Sequence, residues 1–112
     1  MNKLTALIID DEPEILEVVV DQLESSGFNL LVLQASSFDE ASKLIHQADI
    51  VISDINMPGK DKLETLLQTV NKPTARITGY DEVTGPCIIH KPFQIDEFES
   101  VIKLIIEQSR AA

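Results

Sequence analysis

Several apolar segments of this chain end in polar residues that could bind a metal ion or a phosphate group. Asp10 and Asp11 follow the run Leu4–Ile9, Asp54 follows 50–53, Thr78 ends a fourth run, and Lys91 follows a fifth. In open α/β sheets, functional groups gather at the carboxyl ends of the strands. We therefore expect these side chains to meet at one edge of a sheet.

Their chemistry points to phosphoryl transfer. Carboxylates of Asp10, Asp11 and Asp54 brought together would repel one another unless a cation compensates. Mg²⁺, or Mn²⁺ in its place, prefers such oxygen ligands and neutralises charge on a transferring phosphoryl group. Thr78 adds a hydroxyl donor and Lys91 a fixed positive charge. Transfer of a phosphoryl group to a carboxylate needs little more.

The elements that must position these residues alternate along the chain. Short apolar runs, which predict strands buried on both faces, are separated by segments of helical period. We predict strands at 4–9, 30–33, 50–53, 75–78 and 87–90 and a last helix from about Ile95 to Gln108. Ser37 and Glu40 have the spacing of a capping box. The pattern predicts an α/β fold with a doubly wound, mostly parallel sheet.

Composition excludes several classes of function. The 112 residues suit one domain, and their net charge of −10 disfavours nucleic acid and anionic membrane surfaces as partners. The single cysteine, Cys87, permits no internal disulfide and fits a reducing compartment. No signal peptide or membrane-spanning run is present in the sequence. We therefore expect a cytoplasmic protein.

Four blocks of the sequence resemble a known family. They are Asp10-Asp11-Glu12-Pro13, Ser53-Asp54-Ile55-Asn56-Met57-Pro58-Gly59, Thr78-Gly79 and Lys91-Pro92-Phe93. In this order they resemble the signature blocks of response regulator receiver domains, and the resemblance covers essentially the whole chain. It implies a flavodoxin-like five-stranded sheet of order 2-1-3-4-5. It also implies that residues 1–112 form a single receiver domain with no output domain.

The resemblance implies a role for each residue of the site. Asp54 would accept the phosphoryl group. Asp11, Asp54 and the backbone carbonyl of Asn56 would bind the metal ion directly, and Asp10 would bind it mainly through water. Thr78 would bind the phosphoryl group and shift when it arrives, and Lys91 would pair with Asp54 or its phosphate. The Lys91–Pro92 bond would be cis. The donor would be a histidine kinase or a histidine phosphotransfer protein. The chain would not be an enzyme, beyond Mg-dependent self-phosphorylation and self-dephosphorylation.

The chain departs from the family between the fourth and fifth strands. Only 79–86 lie there, whereas a parallel crossover normally needs about a dozen residues or more, usually with a helix. We expect this helix to be missing or reduced to about one turn. The sheet near Ile88 and Ile89 should then be uncovered and form an apolar patch for a protein partner or a second copy.

A second departure concerns an aromatic residue. In receiver domains an aromatic side chain often stands three positions before the lysine and moves with the threonine, whereas Ile88 stands at that place here. We expect Tyr80 to shield the phosphoryl group from water instead, which predicts slow dephosphorylation. Neither His46 nor His90 is predicted to be catalytic, and His90 should point away from the face of Lys91.

Other interpretations remain open from the sequence alone. Each aspartate, taken singly, could cap a helix or a strand end. The shortened segment favours a binding module that keeps the receiver fold without being phosphorylated. A hydrolase of the haloacid dehalogenase kind would need an Asp-x-Asp block on an early strand, where this chain has the adjacent acids Asp10 and Asp11.

Overall fold

A computed structural model describes residues 3–111. The strands are β1 (Leu4–Ile9), β2 (Leu30–Ala35), β3 (Ile50–Asp54), β4 (Thr74–Thr78) and β5 (Ile88–His90). The helices are α1 (Pro13–Ser25), α2 (Phe38–Leu44), α3 (Lys60–Val70) and α4 (Ile95–Ala111), and one 3₁₀ turn spans Ile45–Gln47. Strands and helices alternate, except that no helix lies between β4 and β5.

The five strands form one parallel sheet of order β2-β1-β3-β4-β5. The predicted fold class and strand order are therefore confirmed. The order reverses at β1 and β3, so the loops that follow these two strands diverge to opposite faces of the sheet. This is the switch point at which α/β sheets bind their ligands.

Both faces of the sheet are buried, which explains why its strands are almost continuously apolar. Alternate residues of β1 separate into two clusters: Ala6 and Ile8 pack with α1 and α4, whereas Leu7 and Ile9 pack with α2 and α3. The sheet is thus clamped between helix pairs, and its carboxyl edge has a fixed position.

The chain runs from β4 to β5 without a helix, as predicted. Residues 79–87 contain no helix or strand, only a bend, turns and irregular backbone, and the Val83 N–H donates to the Tyr80 carbonyl at 3.2 Å. Of residues 79–86, Val83 is half-buried and the others are exposed. The segment is therefore a thin strap along the edge of the sheet.

The predicted apolar patch does not form as expected. Ile89 is fully buried against the α1 and α4 side of the sheet, because successive strand residues face opposite ways. Ile88 is half-buried, and a Cβ placed on Gly85 would lie 3.4 Å from its Cγ1 atom, so the strap passes close to it. This leaves little apolar surface for the predicted homodimer contact.

Local capping explains where α2 begins. The Ser37 hydroxyl accepts a hydrogen bond from the Glu40 N–H at 3.2 Å, as the capping box predicts. The Glu40 carboxylate accepts a hydrogen bond from the N–H of Ser36, at 2.7 Å, and not from that of Ser37.

In residues 3–111, no helix is both long and apolar enough to cross a bilayer.

Candidate phosphoryl-acceptor site

The two strands at the centre of the sheet bring Asp10 and Asp54 side by side. Ile9 of β1 is paired with Ser53 of β3, and Asp10 and Asp54 directly follow these two residues. Asp10 is fully buried and Asp54 is 6 % exposed. Thr78 ends the neighbouring strand β4 and is also buried. The predicted convergence at the carboxyl edge is therefore observed.

The carboxylates of Asp10 and Asp54 are held in the same manner. Oδ1 of Asp10 accepts the N–H of Glu12 at 2.9 Å, and Oδ1 of Asp54 accepts the N–H of Asn56 at 3.1 Å. Each bond reaches two residues ahead, an Asx turn that fixes the side chain on its own loop. The second oxygen of each carboxylate remains available to other groups.

Lys91 supplies the positive charge between them. Its Nζ atom lies 3.9 Å from Oδ2 of Asp10 and 3.9 Å from Oδ2 of Asp54. The lysine is aimed from the end of β5, where its N–H donates to the Thr78 carbonyl at 2.7 Å. The bond to Pro92 is cis, as predicted. Lys91 thus contacts both acids loosely, at a distance beyond a direct hydrogen bond.

Asp10 is under electrostatic strain. Burial removes its charge from water and, together with the neighbouring Asp54, raises the pKa of Asp10 to about 6, although the Glu12 N–H and Lys91 oppose this rise. Its Oδ2 atom is the one buried side-chain polar atom in residues 3–111 that has no hydrogen-bond partner. A buried oxygen of this kind needs a further partner.

The oxygen ligands fit a hard divalent cation. Carboxylate oxygens of Asp10, Asp11 and Glu12 lie within 4.8 Å of one another, Asp10 buried and the other two exposed. The unpartnered Oδ2 of Asp10 and an all-oxygen ligand set are what Mg²⁺ prefers. Glu12 is a ligand candidate that the sequence prediction omitted. It was missed because a residue directly before a helix that begins with proline is usually assigned to capping alone.

A shallow cavity of about 190 Å³ opens beside these groups. It is lined by Glu12, Asp54, Asn56, Gly79, Tyr80 and Lys91. Thr78 directly precedes Gly79 and Tyr80 of this lining, and its Oγ1 atom accepts the Tyr80 N–H at 3.1 Å, which leaves the hydroxyl proton free to donate elsewhere. A larger apolar hollow of about 520 Å³ between α2 and α3 contains none of the predicted site residues. Three of the predicted site residues, Asp54, Asn56 and Lys91, line the smaller cavity.

The remaining predicted residues lie around this centre. Tyr80 is 53 % exposed at the rim of the cavity, where it can cover a group on Asp54. His46 is exposed and remote, in the 3₁₀ turn. The side chain of His90 points away from Asp10 and Asp54 and contacts Glu97 of α4. The prediction that His90 and Lys91 point in different directions is therefore confirmed.

Comparison with known families agrees with this geometry. The family described as the response regulator receiver domain matches residues 6–84. The matched region includes Asp10, Asp11, Asp54 and Thr78 and ends inside the short connection between β4 and β5. The match thus stops in the segment where the structure lacks the helix that receiver domains usually carry.

Individual relatives extend the likeness to nearly the whole chain. The transcriptional regulatory protein CpxR of Escherichia coli K12 is 33 % identical over 122 residues, covering 97 % of this chain and 51 % of the relative. The heme response regulator HssR of Staphylococcus saprophyticus is 32 % identical over 117 residues, covering 93 % and 52 %. The chain spans about half the length of these relatives. The expectations of no output domain and of no contact with nucleic acid therefore stay predictions.

Solved structures give the same result. The response regulator PhyR of Brucella abortus superposes with a TM-score of 0.78 at 26 % identity, covering 98 % of this chain and 50 % of that one. A receiver domain of an HD domain-containing protein from Pseudomonas fluorescens superposes with a TM-score of 0.82, covering 99 % and 100 %. At 19 % identity, the second comparison supports the fold alone.

Proposed function

Because the chain belongs to the response regulator receiver domain family, we propose that it receives a signal as a phosphoryl group on Asp54. The observation that carries this proposal is the position of Lys91, with Nζ 3.9 Å from one oxygen each of Asp10 and Asp54. Asp54 and Lys91 line the cavity of about 190 Å³, and Asp10 is buried beside them. Of the three predicted aspartates, Asp54 is the one that lines this cavity, and it is the candidate nucleophile.

The proposed reaction is a phosphoryl transfer from a phosphohistidine of a histidine kinase or phosphotransfer protein. An Oδ atom of Asp54 forms a bond to phosphorus while the bond from phosphorus to the donor's imidazole nitrogen breaks. The imidazole keeps the electron pair and takes up a proton, and an acyl phosphate remains on Asp54. Lys91 stabilises the added negative charge, and the Thr78 hydroxyl donates to a phosphoryl oxygen.

Mg²⁺ is the proposed cofactor. Asp10, Asp11, Asp54 and the Asn56 carbonyl would hold it, and Glu12 is a further carboxylate within reach of the first two. When bound, the ion neutralises charge on the transferring phosphoryl group. The support from this chain is the unpartnered Oδ2 of Asp10 and the raised pKa of that residue, since a bound cation would be a partner for the oxygen and would lower the pKa.

One experiment tests this function. The protein is incubated with Mg²⁺ and acetyl phosphate, and its intact mass is compared with that of Asp54→Asn and of the matched surface variant Asp21→Asn. We expect a phosphoryl adduct on the wild type and on Asp21→Asn, none on Asp54→Asn, and none in EDTA. Wild-type protein that binds Mg²⁺ but gains no phosphoryl group would contradict the proposal.

A specific observation supports a second candidate, a phosphorylation-independent binding module. The β4–β5 segment lacks the helix that forms part of the output surface in receiver domains. In addition, Ile88 stands where those domains often have an aromatic side chain that moves together with the threonine. Signal propagation along the usual route is therefore curtailed. The same mass measurement separates the two candidates, because a binding module of this type would remain unmodified.

A further inference from the structure

His90 lies between two hydrogen-bond acceptors on opposite sides of its ring. Nδ1 is 2.8 Å from Oε2 of Glu97 in α4, and Nε2 is 2.7 Å from the backbone carbonyl of Val83 in the β4–β5 strap. The other oxygen of Glu97 accepts the backbone N–H of His90 at 2.7 Å. One histidine thus joins β5, the strap and α4.

The contacts of the ring require two protons. A carboxylate and a backbone carbonyl can only accept hydrogen bonds, so both ring nitrogens must donate, and a neutral imidazole has only one N–H. The side-chain bond to Glu97, followed by the bond to the Val83 carbonyl, raises the pKa of His90, in agreement with this geometry. The folded protein therefore favours His90 in its positively charged form.

The charges around the ring favour the same form. Glu97 faces it from α4, and Asp81 of the strap adds a weaker attraction. On β4 its paired neighbour is the uncharged Thr78, while the cation Arg76 is bound to Glu64 of α3. The following residue, Lys91, extends toward Asp10 and Asp54 instead. No close cation among the described neighbours offsets the two acids.

The strap depends on this contact. Among the described residues, two hydrogen bonds tie 80–86 to the strands: the Tyr80 N–H donates to Oγ1 of Thr78 in β4, and the Val83 carbonyl accepts from Nε2 of His90 in β5. Val83 is also the half-buried residue of 79–86. Gly79 and Tyr80, at the start of the strap, line the cavity at Asp54. Because the Val83 N–H donates to the Tyr80 carbonyl, the ring of His90 is placed to influence, through Val83, how firmly Tyr80 is held there.

We propose that His90 is a positioning residue that, as an imidazolium, fastens the strap to α4 and holds Tyr80 over the phosphoryl-acceptor cavity. When the imidazolium loses a proton, one of its two bonds is lost and the strap loosens. The replacement for the missing helix is in this way sensitive to pH. Its effect on the phosphorylated form rests on the proposed function, whereas the fastening of the strap does not.

Tyr80 provides the readout, since the chain has one tyrosine and no tryptophan. Acrylamide quenching of tyrosine fluorescence, in EDTA and without a phosphodonor, measures how exposed and mobile Tyr80 is. We expect quenching to increase as pH rises from about 6 to about 9, the range in which a histidine of raised pKa loses its proton. His90 protonation is followed in the same samples by NMR of the imidazole nitrogens.

Two variants and one control make the test decisive. At pH 7, His90→Gln should raise quenching above the wild type, while His46→Gln, the same change at an exposed histidine, should not. Glu97→Gln should remove or reverse the pH dependence. Its amide can donate to Nδ1 of a neutral ring, which leaves the Nε2 proton for the Val83 carbonyl.

Three outcomes would overturn the proposal. Equal quenching in His90→Gln and His46→Gln would show that the ring does not hold the strap. A Glu97→Gln protein that keeps the wild-type pH profile would exclude the carboxylate's role. NMR that shows a neutral His90 at pH 7 would exclude the imidazolium. None of these measurements involves phosphorylation, so failure here is distinguishable from absence of the adduct on Asp54.

Discussion

Asp10 and Asp54 share one pattern of contacts: in each, Oδ1 accepts the N–H two residues ahead and Oδ2 lies 3.9 Å from Nζ of Lys91. The pattern follows from the sheet, because the pair Ile9 and Ser53 places the two aspartates at the same height. Two buried acids then depend on one lysine. Without a bound metal ion, holding these two carboxylates together lowers the stability of the folded protein.

The cost at Asp10 can be measured by removing its charge. We expect Asp10→Asn to raise the free energy of unfolding in EDTA by about 2–3 kcal/mol near pH 8, since the pKa rises from 3.8 to about 6 on folding and each unit is worth about 1.4 kcal/mol. Urea denaturation of both proteins gives the difference. The same variant should bind Mg²⁺ more weakly than the wild type.

The pH dependence of that difference has a defined sign. The carboxyl group of Asp10 has a higher pKa in the folded than in the unfolded chain. Its ionisation therefore has no effect on stability below the unfolded pKa of 3.8, lowers stability as pH rises from 3.8 to about 6, and has its full effect above about 6. The advantage of Asp10→Asn should therefore shrink as pH falls through about 6 and vanish near 4. An advantage that stays constant between pH 8 and about 4 would contradict this explanation.

Lys91 should stabilise the metal-free protein because it is the cation that contacts both acids. We expect Lys91→Met to lower the free energy of unfolding in EDTA by about 1–3 kcal/mol, less than for a fully buried pair, because the lysine is 24 % exposed. Lys62→Met, at an exposed position, makes the same change in net charge and serves as the control.

A double variant tests whether the effect passes through Asp10. Combined with Asp10→Asn, the substitution Lys91→Met should cost less than it does alone, since one of the two acids no longer needs compensation. Additive effects in this cycle, or equal losses in Lys91→Met and Lys62→Met, would show that the contact at 3.9 Å contributes nothing specific.

The sequence predicted the sheet and the core of the site because both depend on patterns within single segments. Apolar runs that end in acids, as at Leu4–Ile9 before Asp10, identify buried parallel strands and the edge where they end. The short segment 79–86 likewise excluded a full helix by length alone. These features require no knowledge of which distant residues meet.

Features that depend on contacts between segments were missed. The bonds of His90 to Glu97 and to the Val83 carbonyl join residues seven positions away on either side, across elements with no shared periodicity. The apolar patch was predicted from the absent helix, but Ile89 faces the other side of the sheet and the strap passes close to Ile88. Tertiary placement of an irregular loop is not encoded in any local pattern.

Gly59 is required by the backbone that leads from Asp54 to α3. Its φ is +79°, a conformation that L residues adopt at a cost of roughly 1–2 kcal/mol. We expect Gly59→Ala to lower the free energy of unfolding by about 1 kcal/mol, as measured by urea denaturation.

Gly79→Ala is the matched control for that substitution. Gly79 does not have a positive φ, and no atom lies within 4 Å of a Cβ placed on it. This variant should be neutral or stabilised by up to about 1 kcal/mol, because alanine restricts the unfolded chain. Equal destabilisation by both substitutions would mean that the left-handed conformation at Gly59 is not the cause.

Tyr80 should determine how long a phosphoryl group survives on Asp54. Tyr80 lines the cavity beside Asp54 while 53 % of the residue remains exposed, so its ring can exclude water from one side of the acyl phosphate. We expect Tyr80→Ala to lose the phosphoryl group several-fold faster than the wild type, measured as decay of the adduct mass after the donor is removed. Tyr80→Phe keeps the ring and should decay at the wild-type rate, since the shielding is steric. If Tyr80→Ala decays no faster than Tyr80→Phe, water reaches the phosphoryl group by another side of the cavity.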